Sequence, residues 1–195
     1  MPANATPLSL LERLRHTPDE EAWQRFAGIY EPLLKKWLKA HAHSQGDTDD
    51  IVQDVLLTVF RKLGEFEHNG QTGAFRAWLR ITAINRLRLL WREKRPALES
   101  DHQVFFGKLD LLADPHSDLS QRWDQEHDAH VAGQLLFQME QEFAPATWHA
   151  FRRQVVEGAS AKETSQEMGL SVNAVLIAKS RIMKRLRQLS LGLLE

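Results

Sequence analysis

Arg76 to Arg95 reads RAWLRITAINRLRLLWREKR, and Val172 to Arg187 reads VNAVLIAKSRIMKRLR. The first stretch carries Arg76, Arg80, Arg86, Arg88, Arg92, Lys94 and Arg95 against one acid, Glu93; the second carries Lys179, Arg181, Lys184, Arg185 and Arg187 against none. In both, apolar residues return at helical spacing, so each is a cationic helix with one apolar stripe. Two such helices, far apart in the chain, suggest two contacts with a polyanion. The formal net charge of −1 conceals them, because acids elsewhere cancel the arginines.

Composition narrows the classes. A chain of 195 residues can bury an ordinary core in one or two domains. There is no cysteine, which removes disulfides, thiolate metal sites and a cysteine nucleophile and suits a reducing cytoplasm. No run of about 18 apolar residues occurs, so no membrane span is expected. Met1 to Leu14 lacks the charged start and apolar core of a secretory signal, so the expected localisation is cytoplasmic.

The remaining periodicity is also helical. Thr17-Pro18-Asp19-Glu20 has the form of a helix start, with Thr17 as cap and Glu20 closing a capping box. Trp23, Phe26, Ala27, Tyr30 and Leu34 then share a stripe. A second helix begins after Gly46, where Asp47, Thr48, Asp49 and Asp50 meet the positive end of its dipole. Its expected core face is Ile51, Val55, Leu56, Val59, Phe60 and Leu63. Gly64 to Gly73 reads as a loop, and a third helix runs from about Ala74 to Lys94 on Phe75, Trp78, Leu79, Thr82, Ala83 and Leu87, ended by Pro96.

Residues 97–128 differ. Eight acids (Glu99, Asp101, Asp110, Asp114, Asp118, Asp124, Glu126 and Asp128) stand against Lys108 and Arg122, and only Val104, Phe105, Phe106, Leu109, Leu111 and Leu112 offer apolar surface before Asp114-Pro115. This reads as an acidic flexible linker with a short apolar anchor, merging into a helix near Leu119. Beyond it, Val131, Leu135, Leu136, Met139 and Phe143 form one stripe, and Pro145 opens a helix with Trp148, Phe151, Val155 and Val156 that Gly158 closes. Ser160-Ala161-Lys162-Glu163 is a capping box, Gly169 supplies a turn that needs positive φ, and Ser171 caps the next helix, with Val172 and Val175 facing inward. This is a helix-turn-helix pattern, in which the second helix enters the major groove of DNA. A helical hairpin in a bundle has the same outline; the uninterrupted positive charge that follows favours DNA.

Three segments carry a family resemblance. Asp49-Asp50-Ile51-Val52-Gln53-Asp54-Val55, then Phe75-Arg76-Ala77-Trp78-Leu79-Arg80 with Asn85, then Ser160 to Arg187 occur in an order that resembles extracytoplasmic-function (group IV) RNA polymerase sigma factors over about Leu8 to Leu189. The resemblance implies an all-α protein: an N-terminal extension (1–16), region two (17–96), a linker (97–128) and region four (129–190). It implies binding to the β′ clamp helices and β flap of core RNA polymerase, with Asp50, Gln53 and Asp54 on the clamp-facing helix. It implies −10 contacts by Phe66, His68 and Asn69 in the loop and by Arg76, Arg80, Asn85, Arg88 and Arg92 on the following helix. A flipped base held by that loop and a linker threading the polymerase cleft are likewise expectations from the resemblance. For the −35 element it implies Ser171, Asn173, Lys179, Arg181 and Arg185. One departure stands out: Leu176, Ile177 and Ala178 follow Val175 where relatives place basic and hydroxyl groups, and thymine methyl contact is one replacement. An anti-sigma factor is a candidate partner, since such factors are commonly restrained by one.

The residues themselves support the same picture. Asp50, Gln53 and Asp54 share a helix face, since residues three and four apart are neighbours. Asn85 can offer a bidentate amide to a base edge. No metal site is expected, because one acidic helix cannot wrap a hard cation and His127 and His130 lack a third ligand. No cofactor is expected, and no nucleophile–base set or phosphate-cradling glycine loop points to an enzyme. The alternative is a stand-alone helix-turn-helix regulator, which has no evident use for the acidic helix beside the first basic one.

Overall fold

Apolar periodicity builds the first half of the molecule around helix α2, Glu20–Lys39, whose Phe26, Ile29, Tyr30, Leu33, Leu34 and Leu38 are all buried. The computed structural model describes residues 9–16, 19–39, 45–67, 71–94 and 99–194, which form nine α-helices and no strand. The α2 start is fixed by Asp19, which accepts the Ala22 N–H at 3.1 Å and pairs with Arg13; the hydrogen bond from Arg13, then that from Ala22, lowers its pKa. Thr17 and Pro18, read above as that start, lie outside the described residues.

Helix α1, Leu10–His16, packs on α2 and on residues 63–65 and buries Leu10 and Leu11, with Gly192 lying against Leu11. Helix α3, Gln45–Lys62, buries Ile51, Val52, Val55, Leu56 and Val59, and runs into a 3-10 turn at Leu63–Glu65. Phe60, expected in that core, is 56% exposed and meets the edge of Trp23, at 5.0 Å. Helix α4, Ala74–Lys94, packs Phe75, Leu79, Ala83, Ile84 and Leu87 inward. Phe75 meets Phe26, Tyr30, Phe66 and Trp78 in an aromatic cluster that joins α2 to α4.

The acidic stretch is helical. Helix α5 spans Glu99–Ala113 and buries Phe105, Leu109 and Leu112; these residues are the apolar anchor, while Val104 and Leu111 are exposed. After a break at residues 114–117, the Ser117 hydroxyl accepts the Ser120 N–H at 3.1 Å and caps helix α6, Asp118–Glu140. The boundary placed at 128/129 therefore falls inside one continuous helix. Its buried stripe, Ser120, Trp123, His127, Val131, Leu135 and Met139, keeps helical period from end to end. Two of those six are polar, so the stripe is not evident in the sequence. Helix α6 packs on α2, α4 and α5, as well as on α9 of the second half.

Helix α7, Pro145–Val155, has proline at its first position and buries Trp148, Ala150 and Phe151. Val155 and Val156, expected within that helix, are exposed, and Val156 lies just past its end. Helices α8, Ala161–Met168, and α9, Val172–Ser190, make the helix-turn-helix. Ser160 and Glu163 form the reciprocal capping box, Gly169 adopts φ 65°, and the Ser171 hydroxyl accepts the Ala174 N–H. Gln154 on α7 donates to the Val175 carbonyl at 3.1 Å and fixes α9 against α7.

Candidate nucleic-acid interface

The arginines of α4 are not open to solvent as a set; acids of the connector hold most of them. Arg76 donates to Asp128 at 2.6 Å and lies 3.5 Å from Asp124. Arg80 is only 3% exposed, pairs with Asp124 at 2.6 Å and reaches the Ser120 carbonyl at 3.4 Å. Arg88 pairs with Asp110 at 2.6 Å, and the Arg92 guanidinium lies 6.0 Å from the centroid of the Phe106 ring. Arg86 instead donates twice to the Thr58 hydroxyl, at 3.0 and 2.7 Å, and ties α4 to α3. Four of these five arginines thus face α5 or α6, and three meet aspartates there.

Gly73, which precedes α4, has φ 81°, and a Cβ there would lie 2.6 Å from the Arg76 guanidinium. The positive φ favours glycine at this turn, and the Arg76 guanidinium passes over it. Phe66 is buried against Phe75 and Trp78 and braces the loop from below. His68 and Asn69 lie outside the described residues. Asn85 is exposed on the open face of α4 with Ile81 and Leu89.

A buried polar chain backs the seam. The Tyr30 hydroxyl is 3.3 Å from His127 Nε2, and His127 Nδ1 is 2.9 Å from Asp128, which continues to Arg76. With Tyr30 donating, His127 is the neutral tautomer that carries its proton on Nδ1 and donates to Asp128. Burial lowers the His127 pKa, against the opposing pull of Asp128. Burial pushes the Tyr30 pKa up. At Asp128 burial acts upward, but the His127 hydrogen bond and the Arg76 charge outweigh it and hold the carboxyl below its usual range. His130 bonds the Ile29 carbonyl at 2.7 Å, so both histidines serve the α2–α6 contact. Among the described residues no group of three or more His, Cys, Asp or Glu side chains is arranged to hold a metal.

On α3, Asp50, Gln53 and Asp54 are exposed and share a face with Leu57, which is also exposed. Asp49 beside them pairs with Lys35 at 3.1 Å.

In the helix-turn-helix, Ser171 is the α9 cap, and Asn173, Lys179 and Arg181 are exposed. Arg185 grips Glu142 with two nitrogens, at 2.7 and 3.2 Å; that bond, ahead of the opposing effect of burial, lowers the Glu142 pKa. Glu142 also lies 3.6 Å from Arg25 of α2, so Arg185 sits in a bridge between the two halves. Two features escaped the sequence reading: Asp110, Asp124 and Asp128 as partners of α4, and the burial of Arg80. An acidic run opposite a basic one was the available signal for the first.

Residues 27–96 match the family model for sigma-70 region 2. The match covers α3, α4 and most of α2. It takes in about a third of the chain and relates that segment to region 2 of sigma factors, proteins of transcription initiation. No curated protein matches the chain. Among the described residues, no helix is long and apolar enough to cross a membrane.

Proposed function

We propose that the chain is a sigma factor of the extracytoplasmic-function type, which binds core RNA polymerase, recognises −10 and −35 elements and promotes opening of the DNA. The carrying observation is the pairing, in one chain, of a region 2 match at residues 27–96 with a capped helix-turn-helix at α8–α9. In this reading residues 17–96 form the clamp- and −10-binding unit, residues 97–128 connect, and residues 129–190 form the −35-binding unit. Asp50, Gln53 and Asp54 meet the polymerase clamp. Asn85 faces the −10 strand first, because it is already open. Arg76, Arg80, Arg88 and Arg92 join once α5 and α6 draw away and DNA phosphates replace Asp110, Asp124 and Asp128. Arg185 likewise exchanges Glu142 for a phosphate, while Asn173, Lys179 and Arg181 approach the duplex.

The test is transcription from fragments of the source genome by the purified chain with bacterial core polymerase. Transcripts should start at defined sites, and the double variant Asp50→Arg/Asp54→Arg should abolish both them and co-purification with core while its melting temperature stays unchanged. Salt-sensitive duplex binding without any association with core polymerase would instead establish a stand-alone helix-turn-helix regulator.

A further inference from the structure

The first two turns of α9 present an unusual surface. Val175, Ala178 and Ile182 are buried and pin one side of the helix to the rest of the unit. The opposite side then carries Asn173, Leu176, Ile177, Ser180 and Lys184, since residues three and four apart share a face. Leu176 is 49% exposed and Ile177 is 43% exposed. Lys179 falls one turn after buried Val175, at the margin of the packed side. Two branched apolar side chains therefore stand where a groove-reading helix would offer polar groups, and α9 contains no acid to balance its five cations.

We propose that Leu176 and Ile177 read the C5-methyl groups of thymines, with Asn173 beside them on an adenine edge, so that the duplex element bound by α9 is A·T-rich. This rests on reading α8–α9 as the −35-binding unit. The charge pattern selects the occupant. Arg181, Lys184 and Arg187 follow the apolar pair on or beside the same face, so the surface suits a polyanion that also displays methyl groups. The major groove does so at thymine, whose methyl is met by apolar side chains, while an Asn amide pairs with adenine N6 and N7. Ser180, one turn further on, accepts or donates to either base of a pair. The cations supply phosphate contacts that carry no sequence information.

The experiment uses the full chain, alone and assembled with core polymerase, and a library of synthetic duplexes with a randomised centre. Enriched duplexes should be A·T-rich. The best one is then remade with deoxyuridine replacing thymidine, one position at a time, which removes only the methyl group. Affinity should fall about fourfold at each contacted position, the equivalent of burying one methyl-sized group. Leu176→Ala and Ile177→Ala should each erase the deoxyuridine penalty at one position, keep the melting temperature and leave the salt slope unchanged. Lys184→Ala should reduce that slope by about 0.9 while the methyl penalty persists.

The proposal is overturned if no sequence is enriched in either form, if deoxyuridine costs nothing, or if its penalty persists in both alanine variants. It is also overturned if those variants keep duplex binding and lose core polymerase, since the apolar pair then belongs to a protein contact. A native chain that binds core polymerase but shows no deoxyuridine penalty overturns the methyl reading alone, whereas a chain that never binds core polymerase overturns the sigma reading.

Discussion

His127 shows at one side chain how the two halves are held together. It is buried, it takes a proton less readily than a free histidine, and it links Tyr30 of α2 to Asp128 of α6. In the unfolded chain its pKa returns to about 6.5. Below that value the unfolded state binds a proton that the folded state resists, so stability falls as pH drops and levels off once the folded pKa is passed. The depressed Asp128 carboxyl adds a further loss at lower pH, through the carboxylate range. The urea midpoint should therefore decrease between pH 7 and pH 5.5, and His127→Gln should flatten that stretch of the profile. An unchanged slope in the variant would remove His127 from the account. None of this was legible beforehand, because Tyr30 and His127 stand 97 residues apart and no local pattern joins them.

At the scale of elements, local chemistry was legible wherever it is self-contained. The limits of α4, the Ser160–Glu163 capping box, the Gly169 turn and the Pro145 start each depend on a few neighbouring residues, and each is found as read. The α5–α6 segment depends on distant partners: Trp123 is buried against Trp37 of α2 at 4.5 Å, so its periodicity is completed only by tertiary packing. Helix α2 holds an opposite case. Pro32 lies inside it, on the exposed side, with exposed Gly28 one turn earlier. A proline there removes one backbone hydrogen bond and crowds the preceding turn; burial of Ile29, Tyr30, Leu33 and Leu34 around it sustains the helix. Pro32→Ala should stabilise the protein by about 1–3 kcal/mol, read from chemical denaturation. A neutral result would show that the backbone has already relaxed around the ring.

Across the whole molecule the seam between α4 and α5–α6 pairs α4 arginines with aspartates, and on the proposed function it competes with DNA for them. Asp124 neutralises two arginines, one of them buried. Removing one partner of a buried pair leaves an uncompensated charge, which disfavours the closed packing. Asp124→Asn should therefore lower the unfolding midpoint and raise affinity for single-stranded DNA, with the salt slope steeper by about 0.7 for each arginine released. A lower midpoint with an unchanged slope would mean that the seam stabilises the fold and does not compete with DNA. Helix α6 has one more consequence. Its 23 residues run unbroken from the packing against α2 and α4 to the contact with α9, a rod of roughly 34 Å. Non-helical residues flank it at both ends, at 114–117 and 141–144. On the proposed reading of α4 and α9 as the two DNA-binding helices, such a rod acts as a ruler: transcription should tolerate substitutions within either bound element more readily than one base pair inserted or removed between them.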